Sequence, residues 1–148
     1  MLRELQIQEL KPIPAQYKAA AAMVTGMGVV IDEANGEVEF PGSATAANIF
    51  VVDKEREAKG INNAIANLSD YFTDFVNIAS GEFVKLHCYD IGESFATDQY
   101  AADLASATYA YVGTDGKWAK STNATKYLVC GEYNDAGHTL YKIRVIEA

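Results

Sequence analysis

Residues 107–120 read ATYAYVGTDGKWAK, and this stretch decides the fold class. Two runs of aromatic, β-branched and small residues flank Thr114-Asp115-Gly116. Asp-Gly between strand-like runs is the strongest short-range hairpin signal, because glycine takes the positive φ that a tight reversal demands. The pattern recurs downstream, where Asn134-Asp135-Ala136-Gly137 separates YLVCGEY from TLYKIRVI. Upstream, Asn35-Gly36 joins GVVID to EVEF, in which Val38 and Phe40 alternate with acids. The chain is therefore expected to be mainly β: a small antiparallel β-barrel or sandwich with a short helical insertion and an extended N-terminal arm.

Working outward, residues 23–31 are expected to form one strand. Val24, Val29, Val30 and Ile31 prefer the pleated conformation, and Gly26 and Gly28 weaken any helix. Further strands are expected over 48–52 and 82–87. Between them, Ile61, Ile65, Leu68, Phe72, Phe75 and Val76 follow helical spacing, which Ser69-Asp70 interrupts. That region predicts a short helix or turn leading by a loop into the next strand. In residues 1–17, polar side chains separate Leu2, Leu5, Ile7 and Leu10, and Pro12 and Pro14 forbid a continuing helix. The expectation is an arm over 1–17 followed by a single domain over 18–148. Such an arm is either a frayed terminus or a segment lying against a neighbouring subunit.

At 148 residues the chain is long enough for one hydrophobic core, and 49% hydrophobic against 22% charged residues argues against global disorder. The net charge of −8, with 20 acids against 12 bases and no basic run, argues against direct nucleic-acid binding. Cys88 and Cys130 each sit in a strand-like run without a CxxC or Cys/His cluster, so zinc is not expected. Buried free thiols are the leading reading; a disulfide between them is the alternative. MLRELQIQEL lacks the apolar core of a signal peptide, and no apolar run approaches the ~20 residues that cross a bilayer. Synthesis and retention in a reducing cytoplasm are expected.

Candidate chemistry is sparse. His87-Cys88 with Asp90 combines nucleophile and base types, but consecutive strand residues point to opposite faces and cannot form a dyad. His138 lies in a turn. Asp70 with Asp74, and Asp98 with Asp103, lack the alternating oxygen ligands of a calcium loop. The GMGVVI run lacks the third glycine and Lys-Ser/Thr of a phosphate loop. No catalytic residue, metal or cofactor is therefore expected. Trp118, with Tyr109 and Tyr111 on one strand face, is a candidate set of surface aromatics for stacking on a sugar, against the alternative of core packing.

A family resemblance adds a specific expectation. Glu55-Arg56, Gly60-Ile61-Asn62, Leu68-Ser69-Asp70-Tyr71, ASGEFV at 79–84, GESFATDQ at 92–99 and GTDGKW at 113–118 recur in order. Over residues 49–146 the chain resembles small structural proteins of tailed bacteriophages that decorate the head. The resemblance implies a non-enzymatic virion protein, a capsid decoration or cement protein on the capsid surface. Its partner would be the major capsid protein, with a homo-oligomer, a trimer first, and no membrane. Leu5, Ile7, Ile13 and Tyr17 would then be apolar anchors of the arm on the shell or a neighbouring subunit. A carbohydrate-binding or adhesion module is the rival expectation.

Overall fold

The computed structural model describes residues 1–8, 13–55 and 69–147. In chain order the strands are β1 (Leu2–Gln6), β2 (Ile13–Ala19), β3 (Met23–Val24), β4 (Gly28–Asp32), β5 (Glu37–Glu39), β6 (Phe50–Lys54), β7 (Asn77–Ile78) and β8 (Phe83–His87). They continue with β9 (Ser94–Thr97), β10 (Tyr109–Val112), β11 (Trp118–Ser121), β12 (Tyr127–Asp135) and β13 (His138–Val145). A single helical turn, α1 (Thr73–Val76), precedes β7, and a 3-10 turn spans Ala102–Ser106. The mainly β expectation holds. A six-stranded antiparallel sheet, β1-β9-β13-β12-β10-β11, sits beside a closed barrel, β2-β5-β4-β6-β8, and β3 pairs with β7.

All three hairpins read from the sequence are present, each reversed by a glycine of positive φ. Asp135 faces His138 across a two-residue loop in which Ala136 and Gly137 have φ of 52° and 91°. That double left-handed geometry matches the right-handed twist of the strands, and the Asn134 side-chain oxygen accepts the Gly137 N–H at 3.1 Å. In the β10–β11 hairpin the reversal falls at Gly116, whose carbonyl accepts the Gly28 N–H at 2.9 Å. This hairpin tip thereby docks the sheet onto β4 of the barrel. At β4–β5, the Asp32 carboxylate accepts the N–H groups of Ala34 and Asn35.

The barrel is not wholly antiparallel. β2 runs parallel to β5, with Lys18 opposite Glu37 and Ala19 opposite Val38. A closed ring of five strands cannot alternate direction all the way round, so at least one ladder must be parallel.

Residues 23–31 form two strands rather than one. The break lies at 25–27, where Gly26 has φ +98°. Its N–H reaches the Val52 carbonyl on β6 at 2.8 Å. Its own carbonyl accepts both the Thr97 hydroxyl and the Trp118 indole N–H at 3.1 Å. One peptide thus ties barrel to sheet, a requirement invisible to local propensity.

The arm expected over residues 1–17 is extended, but it belongs to the fold. β1 pairs with β9, placing Leu2 opposite Thr97, and β2 pairs with β8, placing Ile13 opposite Leu86 and Tyr17 opposite Val84. Met1 is buried, and its ammonium donates to the Thr25 carbonyl at 2.8 Å and to Asp98. The strand period explains this: Ile13, Ala15, Tyr17 and Ala19 turn inward, while Pro14, Gln16 and Lys18 turn to solvent. The prolines exclude helix without excluding strand. Residues 9–12, including Leu10 and Pro12, lie outside the described residues, as do 56–68, which hold Ile61, Ile65 and Leu68.

Three apolar clusters result. Val29, Val38, Val52, Val84 and Leu86 fill the barrel. Phe95, Trp118, Tyr127, Ile143 and Val145 fill the space between the sheet and β6. Met1, Ala96 and Leu140 pack on the sheet's other face, joined by Leu5 and Tyr71.

Candidate functional site

The aromatic trio proposed from the sequence is split by strand parity. Trp118 lies opposite Val112 in the β10–β11 ladder and shares its buried face. Tyr109 and Tyr111 have the opposite parity, and both are half-buried on the other side. Trp118 is fully enclosed, its ring edge-on to Tyr127 with centroids 4.9 Å apart and tilted against Phe95 at 5.3 Å. It is a core residue and presents no surface for a sugar.

Tyr111 borders an open groove of about 640 Å³ between loop 44–49, β10 and loop 121–127. The groove exists because β10 pairs with β12 at one register position, Tyr109 opposite Leu128, after which the chain before β12 swings away. The Thr125 hydroxyl then takes the Ala110 carbonyl at 2.6 Å in place of a ladder bond. Ala46, Ile49 and Ala110 contribute apolar wall, Asn123 contributes polar groups, and Lys120 and Lys126 are the charged lining residues. Among the described residues no acid lines this groove, on a chain whose formal charge is −8. It is a local positive feature in a negative field, suited to a surface carrying carboxylates and hydrogen-bond acceptors.

A second, smaller compartment of about 100 Å³ adjoins it, sharing Ile49, Lys126 and Tyr127. Phe50, Tyr89, Cys88 and Lys126 form its accessible wall, over the fully buried rings of Phe95 and Trp118. Partial desolvation at the pocket wall and the nearby Asp90 carboxylate push the Cys88 thiol up from its ordinary range.

His87 is a strut between the two halves. Its Nδ1 lies 2.9 Å from Glu4 on β1 and its Nε2 lies 3.3 Å from Asp53 on β6. Tyr89 stacks parallel to the imidazole and donates its hydroxyl to Glu4 at 3.3 Å. The His87 side chain is buried and Cys88 is exposed, as opposite strand faces require. Both cysteines are free thiols, but exposed rather than buried: Cys88 follows the end of β8, and Cys130 sits at the register shift of β12.

His138 stacks flat on Tyr71, with centroids 3.6 Å apart. The Tyr71 hydroxyl donates to Asp135 at 2.6 Å, and Arg3 reaches Asp135 at 2.7 Å and Asp70 at 2.9 Å. Asp70 therefore pairs across the fold instead of sharing a helix face with Asp74. Asp98 holds the Met1 ammonium, and Asp103 accepts the Lys120 N–H at 3.4 Å. Among the described residues no group of three or more His, Cys, Asp or Glu side chains is placed to hold a metal ion. No helix there is long and apolar enough to cross a membrane.

The Tyr71 and Arg3 hydrogen bonds hold the Asp135 carboxyl below its ordinary value of 3.8. A depressed folded-state pKa gives stability that is present above 3.8 and lost as pH falls through the lower, folded value. Asp135→Asn is thus expected to destabilise the protein at pH 6, with the difference shrinking below about pH 4. Paired urea melts at the two pH values measure this; a pH-independent difference would remove the ion-pair account.

Sequence reasoning missed Glu93. It is buried, and its carboxylate accepts the backbone N–H groups of Gln8 and Asp90, both at 2.8 Å. The signal was there in Asp90-Ile91-Gly92-Glu93, an apolar residue and a glycine between two acids, which is turn chemistry more than surface charge. Comparison with family models, with curated proteins and with solved structures finds no match to this chain.

Proposed function

We propose that the protein is a non-enzymatic virion component, a capsid decoration protein that binds an assembled phage head through the lysine-lined groove. The observation that supports it most is how the histidines are used. Acid–base chemistry near neutral pH would run through His87 or His138. One is wedged between two carboxylates and the other lies flat on a tyrosine ring. The groove, by contrast, offers area and charge, and the Ser121 and Thr125 hydroxyls beside its lysines donate to the backbone carbonyls of Asn123 and Ala110. Many copies on a repeating shell would convert a modest contact into durable attachment.

The expected arm is paired within its own chain through β1 and β2. Leu5, Ile13 and Tyr17 pack toward clusters of their own chain, and Ile7 is half-buried. All four keep part of their surface exposed, so a neighbouring subunit could still meet them, and the shell contact is assigned to the groove for its area and charge. Co-sedimentation of the purified protein with phage heads tests the reading, with Lys120→Glu/Lys126→Glu as the paired variant. Stoichiometric pelleting that the variant loses supports it; a protein that stays in the supernatant of every head preparation sinks it. The rival, a carbohydrate-binding module, retains Tyr111 and Asn123 at the groove wall. A glycan array separates the two, since a specific hit that Tyr111→Ala abolishes would favour the rival.

A further inference from the structure

Phe83 and Ile91, 52% and 62% exposed, are the exposed large apolar side chains among the described residues. Phe83 carries the Lys18 ammonium over its ring, 5.3 Å from the centroid. Ile91 has no such cover. It is held at the tip of a tight turn by a Glu93 N–H to Asp90 carbonyl bond of 3.0 Å, with Gly92 at φ +93°. The turn itself is braced from beneath by the buried Glu93 carboxylate and by the Gly92 N–H to Val145 carbonyl bond of 2.8 Å. A rigidly supported aliphatic side chain aimed at water gains favourable free energy when a partner covers it.

The aromatic compartment of about 100 Å³ lies on the same connection between β8 and β9. Cys88 and Tyr89 line it, and Ile91 is two residues further on, within about 7 Å along an extended chain. The compartment is the size of one aliphatic side chain. Lys126 is among its lining residues, and the knob is flanked by Asp90. The Ile146 N–H to Lys126 carbonyl bond and the Gly92 N–H to Val145 carbonyl bond place both charges at one end of the molecule.

We infer that this patch binds a second copy of the chain about a two-fold axis, with Ile91 of each copy seated in the aromatic compartment of the other. The adjacency of knob and hole selects the two-fold arrangement. An isologous contact requires that when one residue meets a second, the second meets the first, and a short knob-to-hole separation brings both pairs together at one axis. Charge follows the same symmetry, since each Asp90 approaches the other copy's Lys126. The inference sets a two-fold oligomer against the three-fold one implied by the resemblance; because Lys126 also lines the groove, Ile91→Asp, which leaves the groove intact, is the variant that separates it from the capsid reading.

Sedimentation equilibrium with the full chain tests it. The wild type is expected to sediment as two chains and Ile91→Asp as one, with the far-ultraviolet circular dichroism of the β-fold unchanged. Asp90→Lys and Lys126→Asp are each expected to weaken the dimer, and their combination to restore it. Cys88 supplies a second readout. In a Cys130→Ser background, a short bis-maleimide should cross-link two chains, and Ile91→Asp should abolish the band. A wild type that is a monomer at all concentrations, a three-chain species, or a dimer indifferent to Ile91→Asp would each overturn the proposal.

Discussion

Trp118→Ala is expected to destabilise the protein by about 4 kcal/mol, the range for truncating a fully buried aromatic. The loss has two sources. The ring fills the space between sheet and barrel, in contact with Phe95 and Tyr127. Its N–H also satisfies the Gly26 carbonyl, which would be left with Thr97 alone. Leaving a buried acceptor short of a partner adds to the cavity cost. Trp118→Phe keeps part of the ring volume and loses the hydrogen bond, so a smaller effect is expected. Chemical denaturation followed by circular dichroism measures both. A stacking residue on a binding surface would behave oppositely, losing ligand and keeping stability, and that outcome would reverse the placement of Trp118.

Gly26→Ala is the second large effect, expected at about 3 kcal/mol or more from left-handed strain and steric overlap together. A methyl group there would collide with the Thr97 hydroxyl and stand 2.6 Å from the Met1 carbonyl oxygen. Neither neighbour can retreat easily. Thr97 bonds both the Gly26 carbonyl and the Gln99 N–H, and the Met1 carbonyl accepts the Asp98 N–H. Gly137→Ala is the matched control. Its φ is +91°, but nothing lies within 4 Å of the added methyl. The difference between the two variants isolates the cost of overlap; equal losses would show that backbone strain alone governs Gly26.

How much of this was legible in the chain follows from the range of the forces involved. Hairpins are local, and Asp115-Gly116, Ala136-Gly137 and Asn35-Gly36 announced them through φ alone. The strand over 83–87 was equally plain from Val84, Leu86 and the flanking turn. The split of 23–31 was not, because the bonds that hold Gly26 come from Val52, Thr97 and Trp118. Trp118 was ambiguous for a related reason. Its burial depends on being opposite Val112, and a register slip of one residue would turn it outward. Residues 1–17 were ambiguous because polar residues alternating with isolated apolar ones describe a paired strand as well as an arm. The groove left no motif at all. It arises from a ladder that ends after one pair, and nothing in TNATK at 122–126 specifies where pairing stops.

The single parallel ladder of the barrel constrains the route to the native state. β2 is bonded on one side to β5, near in sequence with Lys18 opposite Glu37, and on the other to β8, far away in sequence with Tyr17 opposite Val84. The barrel therefore cannot be zipped from its N-terminal end as the chain emerges from the ribosome. β2 must wait for residues 83–87 before both of its edges are covered, and long-range closure of this kind is slow. During that wait, a seven-residue strand bearing Ile13 and Tyr17 exposes an open edge, the interval in which nascent chains are most prone to pair with one another.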